Sequence, residues 1–212
     1  MDRSSASVII IQPLQIQRVI WQQVLKSQGI SITIASPQTA PSQTLSEMKR
    51  KGVPLPSLLI IERQLPNLNP QTFCQWCYEN FPDLKVLFHN GTQKEISPSE
   101  RQALINDGAI DLLPAFQVEN LTIGVIAGVK AALAALEGKS LQKDLLVSTL
   151  IELKRELESG NWESFSLPQA EDSPKQASTN VSNEPKSVSP PVSATEDSPK
   201  KANQRRYRGA AY

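Results

Sequence analysis

The chain has 212 residues, with 22 basic and 21 acidic side chains and a formal net charge of +1, so its overall charge does not favour nucleic acid or an anionic membrane as a partner. Its two cysteines, Cys74 and Cys77, are too few for a secreted disulfide framework. The apolar run near the start is broken by Gln12 and Pro13, so it is shorter than a signal-peptide core or a membrane span. We expect a soluble cytoplasmic protein.

Apolar runs alternate with segments of helical periodicity through residues 1–138. The run 8–11 is β-branched, which is typical of a strand buried on both faces, and Gly29 suits the end of the helix that follows. The predicted strands are 8–11, 30–35, 57–62, 85–89 and 109–113, and the predicted helices are 16–28, 44–51, 70–81, 98–107 and 118–136. This alternation predicts an α/β fold, a five-stranded doubly wound parallel sheet of the flavodoxin-like type.

The segment 139–160 follows a break at Glu137 and Gly138, and an amphipathic helix is predicted over 141–158. Its leucines recur with the 4-3-4 spacing of a coiled-coil seam, which consists of Leu146, Leu150, Leu153 and Leu157. Two interpretations stay open. The seam either docks on the preceding domain or binds a partner, which includes a second copy of the chain.

The last part of the chain changes in composition. Residues 161–203 are rich in Ser, Pro, Lys and Glu and hold almost no large apolar residue, which predicts a disordered linker. Residues 204–212 combine three arginines with two tyrosines, as in a short linear binding element. Its candidate binding residues are Arg205, Arg206, Tyr207, Arg208 and Tyr212. An unstructured end that happens to be basic is the alternative.

Three segments carry a resemblance to a known family. Residues 57–70, SLLIIERQLPNLNP, resemble the third strand and following loop of response-regulator receiver domains, with Leu65-Pro66 at the expected offset. Residues 81–91, FPDLKVLFHNG, are similar to the family's approach to strand four. Residues 106–116, NDGAIDLLPAF, are similar to its fifth-strand region. The resemblance spans roughly residues 6–136 in order, and it implies the CheY-like receiver fold.

The same resemblance implies that the phosphorylation chemistry of receivers is missing. Receivers use an acceptor Asp, an acidic pair that holds Mg²⁺, a Ser or Thr, and a Lys, because a phosphorylated carboxylate needs a cation and hydrogen-bond donors to offset its charge. In this chain the acidic-pair positions carry Gln12 and Pro13, the acceptor position carries Glu62, and the Ser/Thr position carries Asn90. No basic residue occupies the Lys position after strand five. We expect a degenerate pseudo-receiver with no catalytic residue, metal site or cofactor, which is not an enzyme.

Two single residues near these positions have alternative interpretations. Glu62 either holds the domain in a phosphorylated-like state or, as we favour, is a strand-end carboxylate that is solvated or paired with Arg63 or another neighbour. For His89, a general base is conceivable, but no nucleophile or orienting acid is identified beside it. We therefore expect a structural role for His89.

The spacing Cys74-Gln-Trp-Cys77 raises a redox or zinc alternative. This segment lies inside the predicted helix 70–81, past its start, and the only histidine available as a further zinc ligand is His89. We expect both cysteines to act as small buried or half-buried apolar residues.

The function expected from the sequence is a phosphorylation-independent signalling adaptor. It binds protein partners, among them a kinase or another regulator, through the face around the fourth helix, fifth strand and fifth helix and through the tail. Two alternatives stay open: an atypical response regulator that modification or a ligand still switches, and a redox module that uses Cys74 and Cys77. The ending Tyr-Arg-Gly-x-x-Tyr is similar to a signature of small cyanobacterial proteins, which suggests a cyanobacterial source.

Overall fold

The computed structural model describes residues 7–137 and 139–159. The strands in this part of the chain are β1 (Ser7–Ile11), β2 (Ser31–Ile34), β3 (Leu58–Glu62), β4 (Lys85–Asn90) and β5 (Asp111–Pro114). The helices are α1 (Gln15–Ser27), α2 (Pro41–Lys51), α3 (Pro70–Asn80), α4 (Pro98–Asn106), α5 (Leu121–Ala135) and α6 (Lys143–Ser159). The predicted linker 161–203 and the predicted binding element 204–212 lie outside the described residues.

The five strands form one parallel sheet in the order β2-β1-β3-β4-β5. This is the flavodoxin-like order of doubly wound sheets, which CheY-like receiver domains also have. The predicted fold class is therefore confirmed, and so is the additional helix that follows the sheet.

Each face of the sheet buries its own apolar cluster, which explains why the strands read as continuous apolar runs. In β1, Val8 and Ile10 belong to the cluster beneath α1, α5 and α6, whereas Ile9 and Ile11 belong to the cluster beneath α2, α3 and α4. Successive side chains of a strand point to opposite faces, so a run of β-branched residues supplies both clusters at once.

The helix boundaries follow local signals, with small differences from the predicted bounds. α2 begins at Pro41 rather than at residue 44, because proline is well suited to the first turn of a helix. Gly52 ends α2 with φ +66°, a left-handed conformation that glycine adopts without steric cost. The predicted helix 118–136 divides into a 3₁₀ turn, Val118–Asn120, and α5.

The leucine seam of α6 faces the chain's own core. Leu146, Leu150 and Leu153 are only 3%, 7% and 3% exposed, and Leu157 packs partly buried against the same cluster. The side chain of Gln28, at the end of α1, accepts the backbone N–H of Gln142 at 2.8 Å and so fixes the start of α6. In this structure the leucine seam therefore docks on the preceding domain. A partner that used these leucines would have to displace α6.

Within the described residues, one helical stretch, Val118–Ala135, is long and apolar enough to cross a membrane by length and composition alone. In the structure Leu121, Val125 and Val129 from this stretch are buried in the cluster beneath the sheet. Packing in the core thus accounts for part of the apolar character of α5, whereas Ile123 of the same helix is 74% exposed.

Candidate functional site

Three polar side chains meet at the carboxyl edge of the sheet. Gln12 directly follows β1, Glu62 ends β3, and His89 lies near the end of β4; they are 1%, 3% and 0% exposed. Glu62 and His89 are register partners across the β3–β4 pair. We call these three residues the strand-end cluster, because parallel strands bring their carboxyl ends to one edge of the sheet.

Gln12 connects the other two members of the cluster. Its side-chain Nε2 donates to Glu62 Oε2 at 2.8 Å and to His89 Nδ1 at 3.0 Å. Its Oε1 accepts the backbone N–H of Leu14 at 3.0 Å. Every polar atom of the Gln12 amide is thus engaged, as buried polar groups require.

The Glu62 carboxylate is surrounded by N–H donors. Beside the Gln12 amide, Oε2 accepts the backbone N–H of Gly91 at 2.8 Å, and Oε1 accepts that of Gln64 at 3.1 Å. This carboxylate is therefore neither solvated nor paired with Arg63, and the neighbours that bind it are Gln12, Gln64 and Gly91. Arg63 instead forms an ion pair with Glu100 of α4.

Gly91, at the start of the loop from β4 to α4, is required by close packing rather than by backbone conformation. A Cβ at this position would lie 2.9 Å from Glu62 Oε2 and 3.0 Å from both Gln12 Nε2 and Leu14 Cδ1. Only glycine lets the backbone approach the carboxylate closely enough to donate its N–H.

His89 is enclosed by aromatic rings. The ring centroids of Trp21 and Phe116 lie 5.7 and 5.0 Å from the imidazole centroid. Burial lowers the pKa of His89 to about 4, although the Pro114 backbone raises it in part. Because Nδ1 accepts from Gln12, the ring is neutral and carries its proton on Nε2. This geometry agrees with the expected structural role.

Asn90 is fully buried, but its side chain engages the following loop rather than Glu62. Its Oδ1 accepts the Thr92 hydroxyl at 3.0 Å and the backbone N–H of Gln93 at 3.2 Å, and its Nδ2 donates to the Gln93 side chain at 2.8 Å. His89, rather than Asn90, is therefore the β4 side chain that belongs to the strand-end cluster.

Two ion pairs connect α4, which follows the β4–α4 loop, to the rest of the domain. Arg63 from the loop after β3 pairs with Glu100, and Arg101 binds Asp111 of β5 through two nitrogens, with Nη2 at 2.6 Å from Oδ2. A planar guanidinium that binds a carboxylate through two bonds fixes orientation as well as distance. The ion pairs therefore connect α4 to the loop after β3 and to the edge strand β5.

The strand-end cluster does not fit the Mg²⁺ ion of the receiver family. Mg²⁺ prefers carboxylates and other oxygen ligands in octahedral geometry. The Gln12 nitrogen faces Glu62, Pro13 has no side-chain ligand atom, and the Glu62 oxygens already accept three N–H groups. Within residues 7–137 and 139–159, no group of three His, Cys, Asp or Glu side chains is placed to hold a metal ion.

Cys74 and Cys77 lie inside α3 as predicted, and both are free and buried. Burial raises the pKa of the Cys74 thiol to about 11, with a contribution from Asp107, and burial together with Cys74 raises the pKa of the Cys77 thiol to about 12. Both thiols are protonated at neutral pH, which disfavours the redox alternative because the thiolate is the reactive form.

Two buried glutamines that the sequence did not single out stabilise the framework of the site. The Gln17 side chain accepts the backbone N–H of Phe116 at 2.8 Å and donates to its carbonyl oxygen at 3.1 Å. The Gln28 side chain likewise accepts the backbone N–H of Gln142. No local sequence signal identifies these residues, since their partners lie about a hundred positions further along the chain.

No protein-family model matches the chain, and no curated protein matches its sequence. Among solved structures it is similar to the receiver domain of the response regulator NarL from Mycobacterium tuberculosis, with 13% identity and a TM-score of 0.44 over 63% of this chain and 98% of that one. It is also similar to a response regulator from Chloroflexus aurantiacus, with 20% identity and a TM-score of 0.46 over 62% and 99% of the two chains. For response regulator RPA3017 in red light signaling of R. palustris the identity is 16% and the TM-score 0.47, over 64% and 96%.

Proposed function

We propose that this chain is a pseudo-receiver that acts as a phosphorylation-independent signalling adaptor and binds protein partners. The observation that carries this proposal is the burial of the Glu62 carboxylate beneath its hydrogen-bond donors. Glu62 is 3% exposed and accepts three N–H groups, so its oxygens are not presented to a phosphoryl donor. A nucleophilic carboxylate must reach the phosphorus atom with a free lone pair.

The surroundings of Glu62 support the same conclusion. Gln12 supplies an amide nitrogen to Glu62, where a receiver would use a carboxylate to hold Mg²⁺. An amide group in this position donates a hydrogen bond to the buried carboxyl group without a metal ion. The cluster therefore serves the fold by satisfying the buried carboxyl group, and the recognition of partners falls to the surface.

The surface that we propose for a partner is formed by α4, β5 and α5. The ion pairs Arg63–Glu100 and Arg101–Asp111 join α4 to the loop after β3 and to β5, and Ile123 of α5 is 74% exposed. An exposed apolar side chain is a suitable anchor for a protein partner. We propose further that the basic element 204–212 binds a second site on the partner and that the protein is cytoplasmic.

Phosphotransfer tests the first part of the proposal. The full-length chain is incubated with Mg²⁺ and a histidine kinase with labelled ATP, beside a receiver domain that retains its acceptor Asp. We expect label on the control receiver and none on this chain. Labelling of this chain that disappears in Glu62→Gln would refute phosphorylation independence and favour the atypical response regulator.

Affinity capture tests the adaptor role. Full-length protein is used as bait in a lysate of the native host, with and without a phosphoryl donor. We expect the same specific partner in both conditions and its loss with Ile123→Arg, because the charge disrupts the proposed surface. Val53→Arg is the matched control, since Val53 is also an exposed apolar residue, at 45%, but lies after α2. Capture that depends on the phosphoryl donor contradicts the proposal.

A further inference from the structure

An exposed flank of α6, about 100° around the helix from the leucine seam, carries two large apolar residues. Val147 is 55% exposed and Ile151 is 65% exposed, and a separation of four residues places them on the same side of the helix. β-Branched side chains lose rotamer freedom in a helix, so they are unfavourable at solvent-exposed helical positions unless they make a contact.

These two residues are part of a second heptad pattern, distinct from the leucine seam. The pattern has the 3-4-3-4 spacing of alternating a and d positions, and all its members are exposed. We call it the outer stripe, and it consists of Asp144, Val147, Ile151, Lys154 and Glu158. Since the leucine seam is buried in the chain's own core, the outer stripe is the seam of α6 that remains open.

The charges of the outer stripe are complementary to those of a second copy in one orientation only. In an antiparallel pair of helices an a position faces a d position, so Val147 faces Ile151 and Asp144 faces Lys154 of the second copy. In a parallel pair each residue faces its own counterpart, which places Asp144 against Asp144 and Lys154 against Lys154. Like charges in contact oppose association, so the parallel arrangement is disfavoured.

We propose that two copies of this chain associate through antiparallel packing of their α6 helices along the outer stripe. The contact is isologous, because the same surface of each copy is used about a two-fold axis. Two contacts between Val147 of one copy and Ile151 of the other lie at its centre, and an Asp144–Lys154 ion pair lies at each end. This proposal is independent of the adaptor role, which a monomer can also perform.

The contact is small, so the dimer is expected to dissociate on dilution. Stable interfaces bury roughly 1,600 Å² in total, which is more than two such contacts of one helix pair provide. Within its own helix, Lys154 lies 3.8 Å from Glu158 in an exposed pair. Exposed pairs of this kind are weak, so Lys154 can turn to Asp144 of the second copy at little cost.

Sedimentation velocity of the full-length protein over a wide range of concentration tests the proposal. We expect the sedimentation coefficient to rise with concentration in the wild type and to stay at the monomer value in Ile151→Glu. Leu145→Glu is the matched control, because Leu145 is also an exposed apolar residue of α6, at 50%, but lies about 120° around the helix from Ile151. A wild type that stays monomeric, or an equal loss of association in both variants, overturns the proposal.

Charge reversal tests the orientation. Asp144→Lys and Lys154→Asp each place like charges together at both ends of the contact, and each is expected to weaken association about tenfold or more. The double variant restores opposite charges across the contact and is expected to recover the affinity of the wild type. Failure of the double variant to recover, with thermal melting unchanged in all three proteins, overturns the antiparallel arrangement.

Discussion

The backbone N–H of Gly91 donates to Oε2 of Glu62 at 2.8 Å, and this bond ties the β4–α4 loop to the end of β3. Gly91→Ala would place a Cβ 2.9 Å from the same oxygen, so either the carboxylate or the loop must move. We expect the free energy of unfolding to fall by about 2 kcal/mol, a typical cost of inserting a methyl group into a closely packed site.

Urea denaturation measures this change. Gly124→Ala is the control, because a Cβ at Gly124 would lie 3.4 Å from the Phe116 ring, which is an ordinary contact. Alanine also has a higher helix propensity than glycine. We expect the control to be neutral or slightly stabilising. Equal stability of Gly91→Ala and the wild type would show that the loop does not pack against Glu62 in solution.

Gln12→Glu tests whether an amide is needed beside Glu62. Two carboxylates would then face each other at the position where 2.8 Å now separates the Gln12 nitrogen from the Glu62 oxygen. Because like charges this close raise the pKa of one carboxyl group, we expect stability at pH 7 to fall by at least about 2 kcal/mol. Protonation relieves the repulsion, so this loss should shrink as the pH falls towards 5.

Thermal melts of Gln12→Glu and Gln12→Met at pH 5 and pH 7 measure the effect of the added charge on the strand-end cluster, in which position 12 contacts both Glu62 and His89. Met has a similar length and removes the amide without adding charge. The difference between the two variants should be larger at pH 7. If the difference does not change with pH, the two carboxylates do not interact and the buried contact between Gln12 and Glu62 is wrong.

His89 makes stability depend on pH. Its pKa in the folded chain is about 4, below the ordinary value of 6.5, so between these values the unfolded chain binds more protons. The contribution of neutral His89 to the free energy of unfolding is therefore fully present above pH 6.5. It decreases by about 3 kcal/mol as the pH falls towards 4. Because the chain has one histidine, the loss of stability between pH 6.5 and 5 is due mainly to His89.

Urea denaturation of the wild type and His89→Gln across this pH range measures the effect. Glutamine keeps an acceptor for the Gln12 amide but does not titrate. We expect the wild type to lose stability between pH 6.5 and 5 and the variant to lose much less. Parallel curves would mean that the imidazole is accessible to water in the folded chain.

The sequence predicts the framework because the signals of each element are local. Buried parallel strands need apolar side chains on both faces, and residues 8–11 show that pattern directly. Helix ends depend on one or two residues, such as Gly52, which has φ +66°. The number, type and order of the elements therefore follow from the chain, and the boundaries differ only by a few residues.

For the strand-end cluster, the sequence predicted only that the residues used for phosphorylation in receivers are replaced. The replacement of the acidic pair by Gln12 and Pro13 is visible in the sequence, but the bond from Gln12 to Glu62 joins residues 50 positions apart. Besides solvent or another neighbour, the sequence suggested Arg63 as a partner of Glu62 because it is the adjacent cation. In a strand, neighbouring side chains point to opposite faces, so adjacency in sequence does not bring them together.

The pair Leu150 and Ile151 tests the orientation of α6, which decides which of its two heptad patterns faces the core. Leu150 is 7% exposed and packs in the cluster with α1 and α5, whereas its neighbour Ile151 is 65% exposed. At a protein concentration where the chain is monomeric, Leu150→Ala should lower the free energy of unfolding by about 2–3 kcal/mol, since it leaves a cavity. Ile151→Ala should change it by less than about 0.5 kcal/mol. Urea denaturation of both variants makes the comparison within one helix turn, and a reversed order of the two effects would mean that α6 docks through the outer stripe and presents its leucine seam to partners.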